Sequence, residues 1–92
     1  MTTGTVVFPE VTLVKRSDGD RGAYGNQKVY SIKVVRYDHL GSWIVFMDWG
    51  RAELPAETRM CTEKIFKSED QALAFAWAKF YEKIDKGYTE KN

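Results

Sequence analysis

The chain has 92 residues, 43% of them hydrophobic and 29% charged, a composition that predicts one globular domain over 1–92 with one modest core and no separate catalytic domain. Fourteen basic against thirteen acidic residues leave a net charge of +1, so no whole-molecule field draws nucleic acid or anionic lipid and only a local basic patch would serve. One cysteine and one histidine exclude an internal disulfide and a cysteine-histidine zinc site, and with no leader-like or bilayer-spanning stretch a cytoplasmic location is expected.

In chain order, Thr5 to Val14 is rich in β-formers, and Pro9, which lacks a ladder donor, predicts an edge strand or one broken by a bulge. Lys15 to Gln27 carries turn residues such as Ser17-Asp18-Gly19-Asp20 and Gly25-Asn26 without an apolar period, so a loop is expected. Val29 to Tyr37 reads as a strand with Tyr30, Ile32 and Val34 opposed to Val29, Ser31, Lys33 and Val35. Asp38-His39-Leu40-Gly41-Ser42 is short and contains glycine. It predicts an antiparallel hairpin with His39 as a solvated residue at the tip.

The next run, Trp43-Ile-Val-Phe-Met-Asp-Trp49, looks like a central strand. Alternation puts Trp43, Val45, Met47 and Trp49 on one face and Ile44, Phe46 and Asp48 on the other. Gly50 is expected to break it. An indole, a glycine and an arginine at a strand's end combine a flat apolar surface, a close backbone approach and a planar cation, a set that suits a sugar, base or phosphate. Pro55 marks Ala52 to Glu57 as a loop, and Thr58 to Phe66 returns as a further strand with Cys61 as a small half-buried residue.

Ser68 opens the one strong helix signal, with Gln71 in capping-box position and Glu69 and Asp70 at the positive end of the dipole. Leu73, Ala76, Trp77, Phe80 and Ile84 form an apolar stripe, which predicts Trp77 and Phe80 in or near the core and leaves Lys79, Glu82, Lys83 and Lys86 for the wetter side. Gly87 is the expected stop. The fold class is therefore α+β: an antiparallel sheet of four or five strands with one C-terminal helix, Ser68 to Lys86, packed on one face.

Three segments in order carry a resemblance: Asn26-Gln27-Lys28-Val29-Tyr30, the triplet Trp49-Gly50-Arg51, and Phe66 to Ala72 leading into a helix that ends Glu82-Lys-Ile-Asp-Lys-Gly-Tyr88. Together they resemble the WGR domain, found in DNA-damage-dependent poly(ADP-ribose) polymerases and in short bacterial proteins. The resemblance implies a nonenzymatic nucleic-acid-binding module that recognises DNA ends or nicks. By motif position, Trp49 would stack on a terminal ribose or base, Arg51 would contact phosphate, Gly50 would keep the turn tight, and Asn26 and Lys28 would add backbone contacts. No metal, cofactor or membrane is implied.

A second reading stays open for each residue. Trp49 would fill a core edge while Arg51 pairs with Glu53 or an acidic helix end, Asn26 would serve the loop's exit turn, and Lys28 would be solvated. Glu53 stands where the family commonly has glycine and would repel a phosphate. The alternative function is a protein-interaction module that docks a partner through the sheet edge or the Trp49 loop. No nucleophile elbow, phosphate loop or metal motif points to an enzyme.

Overall fold

The computed structural model describes residues 4–16, 27–51 and 55–90. Its elements are β1 (Thr5–Arg16), β2 (Gln27–Tyr37), β3 (Ser42–Arg51), β4 (Met60–Phe66), α1 (Glu69–Asp85) and β5 (Thr89–Glu90). The five strands make one antiparallel sheet in the order β4-β3-β2-β1-β5, and α1 lies across one face. The fold is thus α+β, with the fifth strand supplied by a two-residue segment at the end of the chain that alternation does not reveal.

Because β2 is the middle strand, both of its faces are buried: Tyr30, Ile32 and Val34 towards the helix, Val29, Ser31 and Val35 away from it. The buried Ser31 hydroxyl meets the Thr12 hydroxyl of β1 at 3.1 Å, so its polar atom is satisfied. Pro9 acts as anticipated. The β1–β2 register shifts between Val6 and Phe8 and again between Phe8 and Val11, and β5 covers β1 only at Leu13 and Val14. The expected hairpin closes through Gly41 at φ 59°, whose N–H donates to the Asp38 carbonyl at 3.1 Å, and His39 is exposed at its tip.

Gly50 does not break β3. It stays in the strand opposite Val29, and its missing side chain makes room for Arg59, because a Cβ there would lie 3.0 Å from the Arg59 Cγ and 3.4 Å from its Cα. The glycine serves a close approach between chain segments. Lys15, expected in the loop, continues β1 opposite Lys28.

The helix begins as its sequence predicts, with the Gln71 N–H donating to the Ser68 hydroxyl at 3.4 Å. Two side-chain bonds fasten its start to the sheet: the Trp43 indole donates to Glu69 at 3.2 Å, and the Lys67 ammonium donates to the buried Ser42 hydroxyl at 3.0 Å. Ala72 and Ala76 are fully buried, and their small size brings the helix down onto Val34, Val45 and Met47. The apolar stripe is rotated from the expected one. Trp77 is 46% exposed and sets its ring edge-on to Phe8 at 5.0 Å, because the alanine row takes the sheet-facing position a tryptophan would have filled. Lys79 and Lys83, expected on the wet side, are half-buried over the sheet.

Gly87, at φ +102°, reverses the chain. Its N–H donates to the Ile84 carbonyl and the Tyr88 N–H to the Lys83 carbonyl, both at 3.0 Å, the paired bonds of a Schellman ending. This turn delivers Tyr88 and β5 back to the sheet. Gly87→Ala is expected to lower unfolding free energy by about 1–2 kcal/mol in urea titration, the cost of a Cβ in left-handed backbone.

Candidate nucleic-acid interface

The sheet register builds one corner of the molecule. Trp49 on β3 sits opposite Tyr30 on β2, and in the next row Arg51, Lys28 and Lys15 lie side by side across β3, β2 and β1, on the face that carries the helix. Trp49 is 36% exposed; its ring stacks with the buried Tyr30 ring at 6.2 Å between centroids and 18° between planes. From above, α1 contributes Lys83, whose ammonium lies 4.7 Å from the Tyr30 ring centre and 5.7 Å from that of Tyr88. Lys15 approaches Tyr88 at 5.9 Å. Beside this cluster, between β4 and the helix, an open groove of about 360 Å³ is lined by Trp49, Lys64, Phe75, Lys79, Lys83 and Tyr88, among others.

A model of the WGR domain family matches residues 11–92, which include the Trp49-Gly50-Arg51 triplet. The chain belongs to the WGR domain family. The WGR domain is a nucleic-acid-binding module, so this corner, where the triplet meets aromatic rings and cations, is its candidate interface. No curated protein and no solved structure matches the chain.

Of the residues singled out in the sequence of this WGR domain, Trp49, Gly50, Arg51 and Lys28 come together at the corner, while Asn26 and Glu53 lie outside the described residues. Arg51 and Lys28 are exposed. Sequence reasoning did not single out Tyr30, Tyr88, Lys64, Lys79 and Lys83, which stand at or beside this corner. A signal existed for the helix pair: Ala72, Ala76, Lys79 and Lys83 follow four- and three-residue spacings, so any helix that buries the two alanines carries both lysines over the sheet.

The charges at this corner are crowded. Burial pushes the Lys83 ammonium below the ordinary lysine range; Lys86, Lys79 and Lys15 push it the same way, and Glu82 works against them. Glu82 is held below its ordinary value, first by Lys79 at 3.5 Å and also by Lys86 at 3.4 Å. An arriving anion relieves the repulsion among the lysines, which is the electrostatic condition for binding phosphate on a molecule with almost no net charge.

The other face of the sheet of this WGR domain has a different character. Glu10, Asp48 and Glu63 surround a depression of about 280 Å³ there. Burial raises the Asp48 carboxyl above its ordinary value, and Arg59, 3.7 Å away, opposes the rise. Cys61, expected to be half-buried, is an exposed free thiol, because β4 is the outer strand and Cys61 points away from the helix. Among the described residues no cluster of His, Cys, Asp and Glu is placed to hold a metal ion, and no helix is long and apolar enough to cross a membrane.

Burial raises the Tyr30 phenol to about 12, with further contributions from Glu82, Asp48 and Tyr88. The unfolded chain releases this proton near pH 10 while the folded protein keeps it to about 12, so the native state binds more protons in that window and stability falls as pH rises through it. Alkaline titration of the phenolate absorbance is expected to show a late phase from Tyr30, and Tyr30→Phe to remove that phase and flatten the corresponding fall in stability.

Proposed function

We propose that this WGR domain is a nonenzymatic module that recognises DNA ends or nicks and acts in the cytoplasm. The reading rests on one observation: a partly exposed tryptophan, braced by a buried tyrosine, stands at a strand end with Arg51, Lys28, Lys15 and Lys83 on the same side. A base pair inside a duplex hides its faces in the stack. A terminal ribose or base exposes one, and Trp49 offers it a matching flat surface while the cations take the adjoining phosphates. Gly50 contributes by allowing Arg59 to close against β3, which fixes the strand end that carries Trp49 and Arg51. Asn26 would add a backbone contact from the segment preceding Lys28. The groups at the corner suit sugar, phosphate and ring faces, so the module reads geometry and charge with little regard for base identity.

The alternative, docking of a partner protein at the sheet edge, draws on a separate observation. β4 is an outer strand on which Met60 and Ile65 are 63% and 61% exposed.

The two readings diverge in one assay. Linear or nicked duplex is expected to bind in low salt and covalently closed circular duplex of the same sequence to bind far less. With about three phosphate contacts, affinity is expected to fall about 500-fold for each tenfold rise in salt. Trp49→Ala is expected to weaken binding at least about tenfold, the loss of one stacked group, and Arg51→Ala to lower affinity and reduce the salt slope by about one unit. Equal binding to closed and open DNA counts against end recognition, and no binding by a folded protein favours the partner reading.

A further inference from the structure

The groove beside Trp49 has a shape and chemistry of its own. Its volume of about 360 Å³ stands at the small end of the roughly 300–1,000 Å³ typical of small-ligand sites, enough for one nucleotide and far too little for a duplex. Trp49, Phe75 and Tyr88 supply ring surface, while Lys64, Lys79 and Lys83 supply charge. The ammonium groups stand over the rings, Lys64 and Lys79 at 5.2 and 5.8 Å from the centre of Phe75 and Lys83 at 5.7 Å from that of Tyr88. Resting a cation on a ring face keeps it partly out of water and available to a phosphate that arrives with a base. Among the described residues that line the groove Glu63 is the one carboxylate and none is asparagine or glutamine, while Glu82 reaches Lys79 from outside at 3.5 Å, so the lining offers rings and cations without the paired donor and acceptor that read adenine.

We propose that this groove receives a single unpaired terminal nucleotide, its base against the aromatic wall and its phosphate among Lys64, Lys79 and Lys83. The proposal builds on the reading of the corner as a site for DNA ends and extends it: the duplex stops at Trp49, and one nucleotide that is frayed or overhanging turns into the groove. The end with one unpaired nucleotide is then the better ligand, because a blunt end must break its last pair to reach the same contacts. The same chemistry occurs in a free mononucleotide, which the groove accepts more weakly because no neighbouring phosphates assist it.

Thr62, exposed on β4, opens onto the groove, and an aromatic residue is well accommodated at such a strand position, so Thr62→Trp blocks the groove while leaving Trp49, Lys28 and Arg51 in place. Three ligands are compared by fluorescence anisotropy and NMR: blunt duplex, the same duplex with one unpaired nucleotide at the 3′ or 5′ side, and adenosine monophosphate. The wild type is expected to prefer one of the overhanging duplexes about tenfold, the effect of one additional stacked base, and Thr62→Trp to lose that preference while retaining blunt-end binding within about threefold. Equal affinity for blunt and overhanging ends overturns the groove assignment and leaves end recognition standing. If no duplex binds, end recognition fails and the mononucleotide decides. Saturable shifts of the Lys64, Lys79 and Lys83 amides, abolished by Thr62→Trp, support a nucleotide groove, and their absence overturns it.

Discussion

Two alanines set the height of the helix above the sheet, and the candidate site follows from that height. Ala72 and Ala76 are fully buried against the strands, and from that close seat the next turns carry Lys83 over the Tyr30 ring of β2 and Lys79 over the Phe75 ring of the helix itself, on the wall of the groove. A leucine at either alanine position would lift that end of the helix or force its neighbours off their rotamers. The Schellman turn at Gly87 completes the arrangement by returning Tyr88 to the same corner, where Lys15 and Lys83 both approach it. Helix, turn and strand end are thus parts of one assembly, with the Tyr30–Trp49 stack at its centre.

The charge distribution explains how a protein of net charge +1 can hold a polyanion. Cations gather on the helix side at the ends of β2 and β3, while on the opposite face Glu10, Asp48 and Glu63 lie around the depression with Lys33 among them and Arg59 beside Asp48. Such a molecule has little long-range attraction for DNA, and its binding depends on contacts made at short range. Lys83 bears the local cost of this crowding, first through burial and then through the neighbouring Lys86, Lys79 and Lys15, with Glu82 in opposition.

Much of this architecture is legible in the residues because it rests on local rules. Period-two alternation marks β2 and β3, Pro9 marks the irregular stretch of β1, Ser68 and Gly87 mark the helix ends, and in each case one backbone or side-chain group decides the outcome. The site is only half legible. The motif points to Trp49, Arg51 and Lys28, but Tyr30 and Lys15 join them through strand register, and Lys83 and Tyr88 join through the docking of the helix, both of them long-range facts. Gly50 misleads because a glycine reads as a break, whereas its use is contact with Arg59, a residue nine positions away. Trp77 misleads because size suggests burial, while the alanine row had already claimed the space against the sheet.

The central claim is that the Tyr30–Trp49 corner of this WGR domain meets nucleic acid and that the opposite face of the sheet does not. Titrating a nicked duplex into isotopically labelled protein and following amide and indole resonances by NMR tests it most directly. The account predicts that the largest changes fall on the Trp49 indole and on the amides of Arg51, Lys83 and Tyr88, with the opposite face of the sheet undisturbed. Saturable changes centred on Glu10, Asp48 and Cys61, with the Trp49 indole unmoved, would contradict it.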